Sequence, residues 1–485
     1  MNRAFVSTLF SVLLMAVAPA FAATFYVAPV LDETGQPPPI TALVADGSSV
    51  APFPNVLAAF KAGAVGGDTI ILKPGYHGAL KLSDIAPTSP VIIKSASGRT
   101  ARFDSIVLLG KTKNLTFQKL GVWPSNVGLG EGYQGYIVET SPTTSNIFFD
   151  SITVRSDPDA ANYRNWDAAM WNARKFSGMQ LAGPNSGVSN SRFTGVYMGI
   201  STMGENALVV GNRVEGYNGD GLRGLGRNNV FRYNVVVDCV ATDDNHDDGF
   251  QSFADSTGVL SGLVLDGNRI YEWTGPPNPL SCLLQGIGMF DGFYDDLTII
   301  NNVVSANQYH GISVYGARRA LIANNTVVNS TGQPGVTPYI AVFDHKNGAH
   351  PVDILVANNL AMSIRGTAST ERNVVFIDNS AIVSPMAEFQ NALAFDYRPL
   401  AGSIYIDTGD AASGPLTDVR GNARPIGKGI DRGAYERPVS EKTTTPVTTV
   451  TSSGATGAVD AGAATSGTTA VVNGDGTTAK FVPAP

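Results

Sequence analysis

Cysteine, charged residues and long apolar runs are scarce in this chain of 485 residues. After the first 22 residues no apolar run is long enough to cross a bilayer, so we expect no membrane span. Charged residues make up only 15% of the chain, and the net charge of −7 argues against nucleic acid as a partner. The chain has only two cysteines, Cys239 and Cys282, which either form one bridge or remain as buried thiols.

The first 22 residues have the pattern of a cleaved export signal. Arg3 supplies the positive start, an apolar run follows, and Ala20-Phe21-Ala22 forms a small-x-small cleavage site. We therefore expect the mature protein to be periplasmic or secreted. At the other end, residues 438–485 are rich in Thr, Ala and Gly and poor in aromatics, a composition that predicts disorder.

A glycine followed by an apolar residue recurs through the middle of the chain. The motif begins at Gly178, Gly199, Gly221, Gly249, Gly286 and Gly311, and a seventh copy has Tyr339 in place of glycine. A ladder of asparagines runs beside it, at Asn212, Asn234, Asn268, Asn302, Asn325 and Asn359. Asparagine suits tight bends because it tolerates the left-handed conformation and bonds its own backbone.

Two short strand signals per repeat, at intervals of about 21 to 40 residues, predict a solenoid whose stacked coils bury one continuous core. We predict an all-β, single-stranded right-handed parallel β-helix with an N-terminal helical cap and an irregular C-terminal cap. The cap and first coils are expected at 23–110, the core at 111–380 and the C-terminal coil or cap at 381–437. A short helix is expected within 53–64, where apolar residues have helical spacing.

The densest group of reactive side chains is the stretch from Asp243 to Asp248, which holds four carboxylates and one of the five histidines. Uncompensated carboxylates repel, so such a cluster needs solvent, a metal or a basic partner. An acidic surface turn is the simpler interpretation. Because stacked strands lie about 4.8 Å apart, equivalent positions on neighbouring coils are in contact. Arg223 and Gln251 are then expected on one outward polar stripe, with Arg223 beside Asp248.

Aromatic residues occupy the next outward position of the same strands, at Phe253, Phe290, Tyr315 and Phe343. Exposed rings there would suit sugars, and coverage by a neighbouring loop is the alternative. A long insertion after Ser151 contains Arg164, Trp166 and Trp171. This insertion either offers basic and aromatic groups to an acidic carbohydrate or is fastened to the β-helix by its tryptophans.

The coil pattern, together with Thr69-Ile70-Ile71-Leu72-Lys73-Pro74-Gly75-Tyr76, resembles the pectate-lyase-like β-helix superfamily, and within it the alginate lyases and mannuronan C5-epimerases. Asp248-Gly249-Phe250 and His310-Gly311-Ile312 are similar to the Asp-Gly-Phe and His-Gly-Phe coils of the epimerases, with one additional coil between them here. Asp244-Asn245-His246 is similar to the family's Asp-x-His. The resemblance implies an exported enzyme that removes the C5 proton of a uronate in an acidic polysaccharide, as a lyase or an epimerase.

That chemistry needs a group that neutralises the uronate carboxylate, a base and an acid. For these roles we assign Arg223 as the neutralising group, His246 as the base and His310 as the second proton group, with Asp248 as a further catalytic residue. Asp220 and Asp247 would position these groups or bind Ca²⁺ through their oxygens, although the sequence has no EF-hand or nonapeptide calcium motif. The residues expected to bind substrate are Gln251, Arg227, Tyr315 and Lys346.

Two other functions stay open. Asp220-Gly221, Asp247-Asp248 and His310-Gly311-Ile312-Ser313 are similar to the carboxylate triplet and Gly-His-Gly of polygalacturonase-type glycoside hydrolases. In that case the three aspartates would supply the general acid and base. A solenoid that binds glycan or matrix without catalysis is the third possibility, because a fold does not determine a function. We expect an acidic polysaccharide as the partner, and a monomer.

Overall fold

The computed structural model describes residues 22–38, 44–125, 133–254, 258–329 and 336–437. The predicted signal peptide, apart from Ala22, and the predicted disordered tail lie outside these ranges. Three long parallel sheets, named A, B and C, each receive strands from successive coils. The right-handed parallel β-helix predicted from the repeats is therefore confirmed. In the part of the chain that the structure describes, no helix is long and apolar enough to cross a membrane.

Strands are numbered β1 to β40 along the chain. Within the described ranges, sheet A has 15 strands: β1 (Thr24–Val27), β2 (Thr69–Leu72), β5 (Val91–Ser95), β8 (Lys113–Gln118), β11 (Ser145–Asp150), β14 (Gly187–Ser189), β17 (Leu208–Val210), β20 (Val230–Arg232), β23 (Val259–Ser261), β24 (Val264–Asp266), β27 (Phe293–Asp295), β28 (Thr298–Ile300), β31 (Ala317–Ala323), β34 (Val352–Ala357) and β37 (Val374–Ile377).

Sheet B has 12 strands among the same residues: β3 (Gly75–Tyr76), β6 (Ala101–Phe103), β9 (Gly121–Val122), β12 (Thr153–Arg155), β15 (Arg192–Val196), β18 (Arg213–Tyr217), β21 (Val235–Cys239), β25 (Arg269–Tyr271), β29 (Val303–Ser305), β32 (Thr326–Val328), β35 (Leu360–Ala361) and β38 (Ser380–Ala381).

Sheet C contains the glycine-led strands, and its 11 strands in the described part are β4 (Leu80–Ser83), β7 (Ile106–Leu109), β10 (Tyr136–Thr140), β13 (Ser177–Leu181), β16 (Ile200–Thr202), β19 (Leu222–Gly224), β22 (Asp248–Phe253), β26 (Gln285–Asp291), β30 (His310–Tyr315), β33 (Tyr339–Phe343) and β36 (Ser363–Arg365). Apolar side chains from all three sheets point inward and form one continuous core. Each coil alone would leave this face exposed to water, so stacking provides the stability.

The expected cap helix is present as α1 (Val56–Lys61). Its N-terminus is capped by Asn55, whose side-chain oxygen accepts a 2.9 Å hydrogen bond from the Ala58 N–H. Val56 and Ala59 are buried against the first coils. The helix therefore covers apolar surface at the end of the solenoid, where strand edges would otherwise be open.

The predicted asparagine ladder forms a continuous chain of buried amides. Each ladder side chain donates from Nδ2 to Oδ1 of the next, at 2.8–3.0 Å, from Asn212 as far as Asn379, which the sequence analysis did not include. The predicted reason is corrected, because the left-handed residue is the one before each asparagine, such as Tyr233 or Asn301. The ladder asparagines thus serve by stacking their amides between coils.

The C-terminal segment is irregular, as expected, but it does more than close the end of the solenoid. It includes α3 (Pro385–Glu388), a 3-10 helix (Ala392–Ala394) and the antiparallel pair β39 (Phe389–Asn391) and β40 (Asp396–Pro399). Its apolar side chains pack on sheet B as far back as Val237. Arg424 is fully buried, donating to Glu436 at 2.6 Å and to the Asn301 side chain at 3.2 Å. The segment therefore fastens several coils together from the side.

The long insertion between β12 and β13 is fastened to the β-helix by its tryptophans. It contains a 3-10 helix (Ala160–Asn165) and α2 (Ala168–Ala173). Trp166 and Trp171 are each 3% exposed and form a small apolar cluster with Tyr163 and Val240. These rings are therefore unavailable to a sugar. Beside the insertion, Cys239 and Cys282 form a disulfide, which settles the two alternatives left open for them.

Candidate functional site

The candidate site lies on three successive strands of sheet C. Register pairs Arg223 on β19 with Gln251 on β22, and Gln251 with Gly288 on β26. The expected pairing of Arg223 with Gln251 is therefore present, and the same register position on the neighbouring strands is occupied by the buried side chains of Ser201 and Ser313. The parallel stacking thus brings residues that are far apart in the sequence into adjacent positions on the sheet.

Arg223 is held by a carboxylate of its own coil. Its Nε donates to Asp220 Oδ2 at 2.9 Å, and its Nη2 contacts the same oxygen. The predicted neighbour of Arg223 was Asp248, but the direct ion pair is with Asp220. The guanidinium also lies over the Phe253 ring, 5.6 Å from its centre. These two contacts orient Arg223 toward the open face of the sheet, where its side chain is 20% exposed.

His246, Gln251 and Asp248 form a second group beside Arg223. Gln251 Nε2 donates to Asp248 Oδ2 at 3.1 Å and lies 3.2 Å from His246 Nε2. His246 Nε2 is 3.5 Å from the same carboxylate oxygen. The imidazole is about half exposed, while the carboxyl group is fully buried. A titratable ring thus stands at the surface directly above a buried acid.

Asp248 is the fully buried acid of the group. Burial, followed by the charges of Asp220 and Asp247, raises the pKa of its carboxyl well above the usual range. Among the described residues, its Oδ1 has no hydrogen-bond partner. A side chain at Gly288 would begin 2.5 Å from Oδ1, so only glycine leaves this space free. The arrangement favours the protonated, neutral form of Asp248.

Asp247 points to the disulfide. Its carboxylate oxygen and the sulfurs of Cys239 and Cys282 all lie within 4.8 Å of one another. Burial, then the charges of Asp220 and Asp243, raises the pKa of Asp247 to about 8. Burial also raises the pKa of Asp220, against the opposite effect of Arg223. Three acids on two neighbouring coils therefore share a weakly solvated space.

Those three acids do not form a compact metal site. In the described ranges, the group of three potential ligands that lie within 4.8 Å of one another is Asp247 with the two cysteines. The sulfurs are bonded to each other and cannot bind a cation as thiolates. Asp220 is already paired with Arg223. With Asp220 paired to Arg223 and Asp247 beside the disulfide, the two side chains do not fit the predicted Ca²⁺ site.

His310 lies two coils beyond Asp248, on β30. Its Nδ1 is 2.9 Å from Ser313 Oγ and 2.8 Å from the Tyr339 hydroxyl. Burial, and secondarily the charge of His246, lowers the pKa of His310 to about 4. The ring is therefore neutral near pH 7, and its low pKa makes it a weak base that readily releases a proton it has taken up. The sequence analysis missed Tyr339, although its replacement of the repeat's glycine was the available signal.

The predicted aromatic row is present and partly open. Phe253, Phe290, Tyr315 and Phe343 are each half-buried. The Phe290 and Tyr315 rings meet edge to face with 5.1 Å between centres, and Tyr315 contacts Phe343 in the same way at 5.5 Å. Tyr309 adds a ring that is 53% exposed. The row extends from the candidate site along sheet C and offers ring faces and edges for stacking.

The structure places the two remaining predicted residues at the margins. Arg227 lies in the exposed turn between β19 and β20, beyond the end of the strand that holds Arg223. Lys346 lies in the turn after β33, where its Nζ pairs with Asp291 at the surface. From the insertion, Lys175 Nζ reaches Asp243 at 2.7 Å and fixes the start of the acidic stretch. The acidic stretch is therefore partly compensated by a basic partner.

Residues 167–327 match the model of a family described as the right handed beta helix region. The match agrees with the right-handed β-helix fold described above. Among curated proteins, none matches the sequence.

Solved structures similar to this chain include a pectate lyase, Pel9A, at 15% identity and a TM-score of 0.38, with 86% of this chain and 97% of that one covered. The A-module of the Azotobacter vinelandii mannuronan C-5 epimerase AlgE6 matches at 15% identity and a TM-score of 0.43, covering 67% and 87%. The Dettilon tailspike protein matches at 13% identity and a TM-score of 0.44, covering 73% and 68%. At these values the likeness carries no statement about activity.

Proposed function

We propose that this protein acts on a uronate-containing polysaccharide by removing the C5 proton, as a polysaccharide lyase or a C5-epimerase. The observation that carries the proposal is the placement of His246 Nε2 at the surface, 3.5 Å above Asp248, with Arg223 on the adjacent strand. An imidazole from the segment before β22 and a fixed cation on β19 thus flank the same side chain, Gln251. The half-buried aromatic row beside them supplies a stacking surface for neighbouring sugars.

In the proposed reaction the uronate carboxylate lies against Arg223. The guanidinium stabilises the negative charge that develops on the carboxylate when the C5–H bond breaks. His246 Nε2 takes the C5 proton, since imidazole titrates nearest to neutral pH. In a lyase the electron pair then forms the C4–C5 double bond as the C4–O bond breaks, and the departing oxygen takes up a proton. In an epimerase, C5 is instead reprotonated on its other face.

Three neighbouring residues support the proton transfers in the proposed reaction. Asp248 retains its proton because of burial, so it can serve as a donor once substrate displaces the Gln251 amide that covers it. His310 is the second proton group of the proposal: its ring is neutral, and its low pKa means that a proton taken up there is readily passed on. Asp220 has a positioning role, because it holds the Arg223 guanidinium by two contacts.

A glycoside hydrolase is the second candidate, favoured by one specific observation. Burial raises the pKa of Asp247 to about 8 and also raises the pKa of Asp220, but only at Asp220 does an ion pair with Arg223 oppose the effect, so the anions of the two neighbouring carboxyls are stabilised to different extents. Such a difference is what separates the general acid from the base or nucleophile in glycosidases. The burial of Asp247 beside the disulfide makes this candidate weaker than the first.

The test uses the purified protein with alginate, polygalacturonate and other polyuronates. Ultraviolet absorbance detects the double bond left by a lyase, a reducing-end assay detects all chain cleavage, and proton NMR detects a changed C5 configuration. Absorbance with new ends indicates a lyase, new ends without absorbance a hydrolase, and changed configuration without cleavage an epimerase. If none of the three assays detects a change with any polymer, the proposal is contradicted, and a solenoid that binds glycan without catalysis is favoured.

The residue assignment is tested with His246→Ala and Arg223→Ala. Each is expected to lower turnover at least about 100-fold, the usual scale for a lost proton-transfer or charge-stabilising group. His350→Ala is the matched control, since His350 is also about half exposed and its Nδ1 lies 2.9 Å from the Asp344 carboxylate, outside the site. Wild-type turnover in both site variants would contradict the assignment.

A further inference from the structure

A second polar feature lies on sheet B, away from the candidate site on sheet C. It is a cleft of about 340 Å³, within the size range of small-molecule sites. Its floor is made by β12, β15 and β18, and one wall by the 3-10 helix of the insertion. The lining includes four arginines, which are Arg155, Arg164, Arg192 and Arg213.

The arginines come together because of the coil register. Arg192 pairs directly with Arg213 on the next coil, and Arg155 occupies the neighbouring column, in line with Thr194 and Glu215. Like charges on stacked strands repel at this spacing, so an isolated ladder of this kind costs stability. The arrangement therefore calls for negative charge in the cleft.

The protein supplies only part of that charge. Glu215 is buried and accepts from Arg213 Nε at 2.6 Å, and it also pairs with Arg192. Asp238, which does not line the cleft, forms an ion pair with Arg164 and accepts a hydrogen bond from its Nε at 2.9 Å. Two carboxylates thus pair with three of the four guanidinium groups.

Arg155 is the group left over. Among the residues that the structure describes, it has no carboxylate partner, and its guanidinium lies 5.2 Å from the centre of the Trp123 ring. Burial, followed by the charge of Arg192, lowers the pKa of Arg155. A guanidinium presents five donors in a planar fork that suits carboxylate, sulfate and phosphate oxygens.

We propose that this cleft binds an anionic sugar, through one oxyanion group held by Arg155 and by the outer donors of Arg192 and Arg213. These two side chains are 58% and 40% exposed, so they retain donors that face solvent. The Trp123 ring packs against the guanidinium of Arg155 and holds it in position. The site is separate from the proposed catalysis and does not depend on it, because its lining shares no residue with the group around His246.

The test is calorimetric titration of the full protein with trigalacturonate, with maltotriose as the neutral probe of equal length and with sulfate as the bare oxyanion. Arg155→Gln removes the unpaired charge without breaking an ion pair within the described residues. It is expected to weaken trigalacturonate binding by about 10-fold or more, the scale of a lost charge-assisted hydrogen bond. Lys61→Gln removes one charge from the exposed end of α1 and should leave binding unchanged. Added salt should weaken the interaction.

Binding at the candidate site on sheet C is distinguished from binding in the sheet B cleft by repeating the titration with the Arg223→Ala variant. Loss of trigalacturonate binding in Arg155→Gln but not in Arg223→Ala supports the cleft. The reverse pattern overturns it, as does equal affinity for maltotriose. Binding of sulfate without binding of trigalacturonate would also overturn the assignment to a sugar. None of these outcomes depends on turnover, so the cleft and the proposed activity can fail separately.

Discussion

The buried asparagine ladder permits a worked prediction of stability, for Asn268→Ala. The Asn268 side chain is 2% exposed and makes four hydrogen bonds. Its Oδ1 accepts from the Asn234 backbone N–H at 3.1 Å and from Asn234 Nδ2 at 2.9 Å. Its Nδ2 donates to the Phe231 carbonyl and to Asn302 Oδ1, both at 2.9 Å. Alanine removes all four bonds in the centre of the stack.

The partners are not affected equally. Asn234 Nδ2 keeps a bond to the Val209 carbonyl, and Asn302 Oδ1 still accepts from the Asn268 N–H. The Asn234 N–H, in contrast, loses its side-chain acceptor in a buried position where water cannot replace it. An unsatisfied buried group costs about 1–3 kcal/mol and each lost bond about 1 kcal/mol, so we expect the free energy of unfolding to fall by about 2–5 kcal/mol.

The assay is urea unfolding followed by circular dichroism, with amide hydrogen exchange because solenoid coils can open separately. Asn206→Gly is the control. Asn206 also joins two coil-stacked asparagines, but it is exposed, and its positive φ of 58° suits glycine. The control should change stability by less than about 0.5 kcal/mol. An equally small change in Asn268→Ala, with the Asn234 amide still protected, would refute the reasoning.

Two further predictions follow from buried charge. The folded-state pKa of Asp247 is about 8, above its ordinary value of 3.8, so its stabilising effect is complete below about pH 4 and is lost as pH rises toward 8. Asp247→Asn should therefore show a smaller fall in unfolding free energy between about pH 5 and pH 9 than the wild type, and an identical fall would contradict the raised pKa. Arg424→Met should cost about 3–5 kcal/mol, because it leaves Glu436 buried without its partner. An unchanged melting temperature would show that the C-terminal segment does not fasten the coils.

The repeat alone was enough to predict the β-helix. The repeat places glycines, such as Gly221 and Gly249, and asparagines, such as Asn234 and Asn268, at equivalent positions of successive coils. The pattern can therefore be recognised from the sequence alone. Stacking then follows from the need to bury the apolar face. The register of Arg223 with Gln251 could be predicted for the same reason, because both occupy the same position of consecutive repeats.

The repeat could not predict contacts between residues that occupy different positions of the coil. Arg223 pairs with Asp220 rather than Asp248, because the side chain turns back along its own coil. Trp166 is buried because the insertion that contains it packs against the β-helix. The C-terminal segment returns along sheet B and reaches Val237. The Arg155 cleft arises where that insertion faces three stacked strands. Such contacts depend on loop paths and on the burial of individual charges, which no periodicity encodes, and therefore only the tertiary structure decided them.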